Sequence, residues 1–264
     1  MSVAQRAIRA VLFDLVGTLT FAISEEQRNR AHRRVAAVLG ASPDAYLKTL
    51  LTSYVDRASG RRGSMMQTMR WVAEQSGAQP TERQLAMACA VRHATERDHL
   101  RLRPDAIHVL ETLRAHGIRT AVVSDCTHEV PSTWRTSRLR RYVDTAVFSI
   151  EVGACKPDRR MYLTACDRLK VRPEECVYVG DGGSRELTGA RAIGMTAVRL
   201  IAPDSHRHAA HLAEHSWNGP AIRALSEVLP LVGIGGGPHL HAPRRAEQRP
   251  RIPAPRRAEQ HAPR

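Results

Sequence analysis

The chain opens on a short apolar run that ends at a carboxylate. Residues 8–13 are mostly apolar, Asp14 follows them directly, and Gly17 comes three positions later. Apolar runs of this length are typical of strands buried on both faces, and a glycine often marks the turn after such a strand. The pattern predicts a first core strand with Asp14 at its carboxyl end.

Between about residues 20 and 102, the spacing of apolar residues is typical of helices rather than of strands. Apolar positions recur at intervals of three and four between residues 43 and 55, behind the start signal Ser42-Pro43. A second amphipathic stretch follows from Met65, and Thr81 with Gln84 has the sequence of a capping box ahead of a third. The segment therefore predicts an all-helical insertion behind the first strand.

Beyond Pro104, predicted helices and strands alternate. Such alternation is typical of a parallel sheet covered by helices on both faces, so the fold class predicted is a doubly wound α/β fold. Sites in these folds lie at the carboxyl ends of the strands, where Asp14, Ser124 and Asp181 all fall. The predicted helices span residues 105–116, 158–170 and 184–193, and the predicted strands span 119–124, 145–150, 176–180 and 196–200.

The composition changes after Leu231. Three consecutive glycines at 235–237 lead into proline, arginine, histidine and alanine, and the string APRRAEQ occurs at 242–248 and again at 254–260. A segment with so few apolar residues cannot bury enough surface to order itself. We expect residues 232–264 to form a disordered basic tail.

Length and charge narrow the class of protein. A chain of 264 residues with 42% hydrophobic content can bury one core and a smaller second domain without disulfides. The net charge of +14 would suit a nucleic-acid partner, but seven of the arginines lie in residues 240–264 and the rest are spread along the chain. Only three of the 40 basic residues are lysines. We therefore expect no nucleic-acid partner.

The apolar segment near the N-terminus predicts neither a leader nor a membrane span. Asp14 interrupts it, and no small-residue cleavage pattern follows it. The five cysteines are odd in number and lack the CxxC spacing of zinc sites. These features predict a cytoplasmic protein with reduced thiols and no membrane partner.

Four short segments carry candidate chemistry. FDLVGTLT, residues 13–20, contains Asp14 as a possible nucleophile, and VVSDCT, residues 122–127, ends a strand with Ser124, whose hydroxyl can bind a phosphoryl oxygen. In GACKPD, residues 153–158, Lys156 stands where an ammonium can neutralise a transferring group. In VGDGGSRELTGA, residues 179–190, Asp181 begins a glycine-rich turn and favours oxygen ligation of Mg²⁺.

In their order and spacing, these segments resemble the four motifs of the haloacid dehalogenase-like superfamily. The resemblance implies a Rossmann-like hydrolase core of residues 1–20 and 101–231, with a helical cap domain inserted at about 21–100. It also implies Mg²⁺ as the cofactor and a small phosphorylated metabolite as the substrate, and thus a phosphatase. The sequence predicts no oligomeric state.

The resemblance assigns roles to individual positions. Asp14 would be the nucleophile that forms a phosphoaspartate and would also bind the metal. Ser124 would hold the phosphoryl group, Lys156 would offset the charge of nucleophile and substrate, and Asp181 would be a metal ligand. Glu186 stands where many members carry a second acidic residue.

Position 16 departs from the family pattern. Most phosphatases of the superfamily carry a second aspartate there, which protonates the leaving group and then activates water. In this chain the residue is Val16, so only its backbone carbonyl remains available, and the resemblance implies that this carbonyl still binds the metal. General acid–base catalysis typically contributes about 10² to 10⁴-fold, so ordinary alkyl phosphates should be poor substrates.

Four interpretations stay open after this departure. The protein is a phosphatase with a good leaving group or with an acid supplied from elsewhere, or a phosphonatase-like or dehalogenase-like hydrolase, branches that also lack the second aspartate. A phosphonatase would need a cap lysine, and Lys48 is the only one; the Gly180-Asp181 pair resembles the metal-binding form of the fourth motif and weakens the dehalogenase branch. The remaining two are phosphoryl transfer through a long-lived phosphoaspartate and a non-catalytic binding protein.

Overall fold

The fold is built on one parallel sheet. The computed structural model describes residues 7–204 and 213–235. Within them six strands lie in the order β3-β2-β1-β4-β5-β6, and every neighbouring pair is parallel. The strands are β1 Ala10–Phe13, β2 Arg119–Ser124, β3 Thr145–Phe148, β4 Cys176–Gly180, β5 Thr196–Leu200 and β6 Ala221–Ile222.

The described residues also form eleven α-helices, and the first five make up a helical insertion, residues 25–99, between β1 and the rest of the core. The helices of the insertion are α1 Glu25–Leu39, α2 Pro43–Thr52, α3 Tyr54–Ala58, α4 Met65–Gln75 and α5 Glu82–His99. Those of the core are α6 Ala106–Ala115, α7 Glu129–Trp134, α8 Ser149–Val152, α9 Arg159–Leu169, α10 Glu186–Ala192 and α11 Val228–Leu231.

Helices cover both faces of the sheet. In β1, Val11 and Phe13 belong to the apolar cluster that contains Leu110 of α6, whereas Leu12 belongs to the cluster that contains Met161 of α9. Burial on both faces explains why the strands are unbroken apolar runs rather than alternating ones. The prediction of a doubly wound α/β fold is confirmed.

The helical insertion has a small apolar core of its own, which contains Tyr46, Met69 and Leu85. The predicted capping box at Thr81 is confirmed, because the Thr81 hydroxyl accepts from the backbone N–H of Gln84 and the Gln84 side chain accepts from Thr81 N–H. This reciprocal cap satisfies two N–H groups that would otherwise lack a partner at the start of α5.

The helix predicted over residues 43–55 is wrong in one respect, because α2 ends at Thr52 and α3 begins only at Tyr54. The Ser53 hydroxyl donates to the carbonyl of Thr49 at 2.6 Å. The Arg57 guanidinium donates to the carbonyl of Leu50 at 2.8 Å. These side chains thus satisfy carbonyls in the last turn of α2 that the backbone N–H groups of a continued helix would otherwise satisfy.

Two adjacent linkers join the helical insertion to the core. Phe21 N–H donates to the carbonyl of Arg101 at 3.0 Å, and Thr20 forms an antiparallel bridge with Leu102. The chain therefore leaves and re-enters the core at neighbouring points.

A buried arginine lies where the second linker ends. Arg103 is 7% exposed and donates to the carbonyls of Gly17 and Thr18, at 2.8 Å each, in the loop behind Asp14. It also pairs with Asp204 at 2.9 Å. One side chain therefore fixes both the linker and the loop that follows the first strand.

The chain stays packed against the core as far as residue 234. Val232 and Ile234 contact the apolar cluster beneath α6. The tail was predicted as residues 232–264; of these, residues 236–264 lie outside the described residues. Across the described ranges, no helix combines the length and the apolarity that crossing a bilayer requires.

Candidate active site

Three predicted site residues meet at one edge of the sheet. Asp14 follows β1, Ser124 ends β2 and Asp181 follows β4, and these three strands are neighbours. All three side chains are buried and line one cavity. The backbone N–H of Asp14 donates to the carbonyl of Val179 at 2.9 Å, which extends the β1–β4 pairing up to the candidate nucleophile.

Lys156 reaches this group from the loop before α9. Its Nζ lies 2.6 Å from Asp14 Oδ1 and 2.6 Å from Glu186 Oε2. Burial alone would lower the pKa of Lys156, but the charges of Asp14 and Glu186 outweigh it and raise the pKa well above its usual value. The ammonium is therefore a fixed positive charge at the candidate nucleophile.

Glu186 is more than a neighbouring acid. Its Oε2 accepts from the Tyr178 hydroxyl at 2.8 Å, and its Oε1 accepts from Gly182 N–H at 3.0 Å. A Cβ at Gly180 would lie 2.1 Å from Oε1, so glycine at that position makes room for the carboxylate. Burial raises the pKa of Glu186, and Lys156 acts in the opposite direction. Glu186 and Tyr178 thus hold Lys156 in place.

Asp181 lies beside the nucleophile. Its Oδ1 accepts from Gly183 N–H at 2.9 Å, and its Oδ2 lies against Gly17, where a Cβ would come within 2.4 Å. Gly17 has a φ of 91°, a second reason for glycine there. Burial raises the pKa of Asp14, Lys156 lowers it and Asp181 raises it further, with a net increase.

The carboxylates of this cluster are close enough to share one cation. One oxygen each from Asp14, Asp181 and Glu186 lies within 4.8 Å of the others. Hard oxygen ligands of this kind are those that Mg²⁺ prefers. Asp14 and Asp181 fit such an ion better than Glu186 does, because both Glu186 oxygens already accept hydrogen bonds.

The two remaining predicted residues differ in position. Val16 lines the cavity together with Asp14, so an aspartate at this position would also face it. Lys48 is exposed on α2 and is not among the residues that line the cavity. The structure therefore does not bring Lys48 to the nucleophile.

The cavity has a volume of about 550 Å³ and lies between the core and the helical insertion. The insertion contributes Tyr54, whose hydroxyl donates to the carbonyl of Asp125 at 3.3 Å, next to Ser124. It also contributes Arg57 and Arg92. Sequence reasoning missed these residues, because helical spacing does not show which face of an insertion closes over a core.

A buried ion pair connects the helical insertion to the core near the cavity. The Arg92 guanidinium on α5 pairs with Glu129 on α7 and also donates to Thr127. Burial would raise the pKa of Glu129, but Arg92 and hydrogen bonds from Arg92 and Thr127 lower it to about 2. The pair is therefore ionised at neutral pH, and its arginine lines the cavity.

Comparisons with known proteins identify one family, whose similar members include both phosphatases and dehalogenases. A haloacid dehalogenase-like hydrolase model matches residues 8–194. A glyceraldehyde 3-phosphate phosphatase of Methanopyrus kandleri is 30% identical over 197 residues, 73% of this chain and 84% of the relative. An (S)-2-haloacid dehalogenase 4A of Burkholderia cepacia is 31% identical over 206 residues, 74% of this chain and 83% of the relative.

A solved structure agrees with the curated relatives. The HAD phosphatase from Thermococcus onnurineus has a TM-score of 0.56 and 26% sequence identity. The match covers 86% of this chain and 98% of that one. Phosphatases and dehalogenases are therefore both similar to this chain over most of its length.

Proposed function

The chain belongs to the haloacid dehalogenase-like hydrolases, and from that premise we propose that it is a Mg²⁺-dependent phosphatase with Asp14 as its nucleophile. The proposed substrate is a small phosphorylated metabolite. The observation that carries the proposal is the placement of Asp181 directly beside Asp14.

Charge balance supports a divalent cation at this site. The carboxyl groups of Asp14, Asp181 and Glu186 outnumber the one ammonium that contacts them, that of Lys156. An anionic substrate would be repelled by such a site, and the repulsion is strong because the groups are buried. A divalent cation removes the excess charge, and a phosphate substrate is the type of ligand that such a site then accepts.

The donor set suits Mg²⁺. Asp14 and Asp181 would hold the ion, together with the backbone carbonyl of Val16. Bound there, Mg²⁺ would shield the phosphoryl oxygens from the carboxylates and stabilise the charge that develops during transfer.

The protein's own residues would carry out the covalent chemistry. The Asp14 carboxylate attacks the phosphorus, the bond from phosphorus to the leaving-group oxygen breaks, and a phosphoaspartate forms. Lys156 holds the nucleophile and offsets its charge, while the Ser124 hydroxyl binds a phosphoryl oxygen. Water then attacks the phosphorus, the bond from phosphorus to the Asp14 oxygen breaks, and phosphate leaves; the proton released by water passes to the departing phosphate or to solvent, and the carboxylate is restored. The helical insertion would act as a cap that excludes bulk water during the first step.

A dehalogenase is the second candidate, because the Burkholderia cepacia relative is a dehalogenase and Val16 leaves no general acid. Such a reaction displaces halide with the same aspartate and needs no proton on the leaving group. Asp181 argues against it, since a second carboxylate beside Asp14 disfavours a haloacid anion unless a cation is present. The exposed position of Lys48 gives no support to a phosphonatase, which would require an amine in the cavity.

Metal dependence separates the two candidates. Purified protein with Mg²⁺ is expected to hydrolyse p-nitrophenyl phosphate, whose good leaving group requires no protonation, and EDTA should abolish that activity. Phosphate release is measured by colorimetry, and chloride release from 2-chloropropionate is followed in parallel samples. EDTA-resistant chloride release without phosphatase activity would assign the dehalogenase reaction instead.

Restoring a carboxylate at position 16 tests the missing acid. Val16→Asp is expected to raise steady-state hydrolysis of an alkyl phosphate roughly ten-fold or more, because the new group can protonate the leaving oxygen and activate water. Val16→Asn is the matched control, since it has nearly the same size and no acid, and should give no gain. Equal rates in both variants, with Mg²⁺ bound and the fold intact, would contradict the impaired-phosphatase interpretation.

A further inference from the structure

The helical insertion places a buried arginine in the cavity that holds the nucleophile. Arg57, on α3, is 5% exposed and lines the same cavity as Asp14. Its Nε donates to the Ser53 hydroxyl at 3.1 Å, and its Nη2 donates to the carbonyl of Leu50 at 2.8 Å. Two hydrogen bonds therefore hold the guanidinium in one orientation.

Arg57 has no carboxylate within 4.0 Å in the part of the chain that the structure describes. Its neighbour Arg92 pairs with Glu129. The other buried arginine of the described ranges is Arg103, which pairs with Asp204. A buried charge without a counter-ion lowers stability, so an arginine kept in this state is a candidate for binding an external anion.

The surroundings of Arg57 are positively charged. Arg28 and Arg92 line the same cavity. Burial, together with the charges of Arg92, Arg57 and Arg28, lowers the pKa of His32 to about 3, so this imidazole is neutral at physiological pH. Burial and the charge of Arg92 lower the pKa of Arg57 to about 10, against the opposing charge of Glu129, which lies beyond ion-pair distance; Arg57 is therefore protonated.

The described cavity lining contains one carboxyl group from the helical insertion, that of Glu96. Burial and the charge of Glu129 raise the pKa of Glu96 to about 7, against the opposing charges of Arg92 and Arg28. A carboxyl that is largely protonated below that pH does not balance Arg57. The insertion side of the cavity thus keeps an excess of positive charge near neutral pH.

We propose that Arg57 binds a second anionic group of the substrate, so that the substrate class is a phosphate monoester whose leaving group carries a carboxylate or a further phosphate. This assignment rests on the proposed phosphatase function. The planar guanidinium suits either anion, because both accept hydrogen bonds from arginine with matching geometry. A cavity of about 550 Å³ accommodates a small metabolite with two such groups.

Binding at Arg57 would also position the reacting ester. The anion is bound by the insertion while the phosphoryl group lies at Asp14 in the core, so one substrate molecule bridges both parts of the protein. Fixing the far end of a substrate reduces its freedom at the reacting end. Arg57 is thus proposed as a specificity-determining residue.

The test compares leaving groups in the native protein and in variants. The probes are glycerol 3-phosphate, which has no second anion, 3-phosphoglycerate, which has a carboxylate, and propane-1,3-diol bisphosphate, which has a second phosphate. In the native protein, kcat/KM for at least one doubly anionic probe should exceed that for glycerol 3-phosphate by about ten-fold or more. Arg57→Gln should lower this ratio by about ten-fold, chiefly through KM, and Arg57→Lys should retain part of it.

The control is Arg61→Gln. Arg61 is close in sequence, its side chain is 65% exposed, and it pairs with Asp56, so its replacement should leave the ratio as it is in the native protein. Which of the two doubly anionic probes is preferred identifies the second anion as carboxylate or phosphate. Calorimetric binding of the same probes to Asp14→Asn, with and without Arg57→Gln, measures the anion site without turnover.

The outcomes separate the two proposals. If no phosphate ester is hydrolysed but Arg57→Gln still weakens binding of the doubly anionic probes, the phosphatase function fails and the anion site stands. If phosphate esters are hydrolysed but kcat/KM of the native protein does not favour a second anion, the assignment of Arg57 is overturned, and this result does not depend on any variant folding. The assignment is likewise overturned if Arg57→Gln and Arg61→Gln change the ratio equally.

Discussion

Asp14→Asn is expected to reduce hydrolysis of p-nitrophenyl phosphate by roughly 10⁴-fold or more, the scale of loss seen when a nucleophile is removed from an enzyme. The amide keeps the shape of the carboxylate but cannot attack phosphorus. The Lys156 hydrogen bond to position 14 can persist through the amide oxygen, so the fold should be retained. Initial rates and the circular dichroism spectrum of the variant measure the two effects separately.

Asp44→Asn is the matched control for this change. Asp44 lies exposed in the first turn of α2 and is not among the residues that line the cavity. Its replacement should leave the rate near that of the native protein. Turnover by Asp14→Asn at the native rate would show that another group attacks the substrate.

Lys156→Met is expected to destabilise the fold by about 3–5 kcal/mol near pH 8, besides removing activity. Methionine fills a similar volume, but it leaves the buried carboxylates of Asp14 and Glu186 without their shared counter-ion. Burial raises the pKa of both carboxyls, and Lys156 is the group that lowers it. Denaturant unfolding of the variant and of the native protein measures the difference.

The loss should depend on pH in a defined direction. With the ammonium removed, both carboxyls keep a pKa above their usual values of 3.8 and 4.5, so the folded state retains protons that the unfolded chain releases. Stability of the variant relative to the native protein should therefore fall as pH rises from about 5 to about 8. Lys48→Met, at an exposed position, should show no such trend. A deficit that is constant across this pH range would mean that lost packing, not unpaired charge, is the cause.

Much of the sheet could be predicted from sequence because its strands are buried on both faces. The predicted strands 119–124, 176–180 and 196–200 have the same bounds as β2, β4 and β5. The short strand β6 was missed, since two residues give no period to detect. Helix α7 was also missed, because Pro131 lies within its six residues and proline usually indicates a break in a helix.

The candidate site, like the sheet, could be predicted only in part. Asp14, Lys156, Asp181 and Glu186 were predicted as site residues because each lies in a short segment whose residue order resembles a family motif. The support of Glu186 by Tyr178 was not predicted, since in sequence Tyr178 is one apolar-strand residue among others. The cavity-lining residues of the insertion are harder still to predict, because the packing of five helices over the core decides which side chains reach the cavity.

The paired linkers give the protein a modular construction. The chain leaves the core at Phe21 and re-enters it at Arg101, and these two residues are hydrogen-bonded to each other. The whole insertion is therefore attached through one pair of adjacent linkers. An insertion attached in this way can be replaced by one of a different length without shifting the register of the sheet, since the distance between its two ends stays the same. In the proposals above, the residues that break the phosphoester bond belong to the core, and Arg57, which would select the substrate, belongs to the insertion. Exchange of residues 22–100 between related chains should therefore transfer substrate preference while the host keeps its reaction.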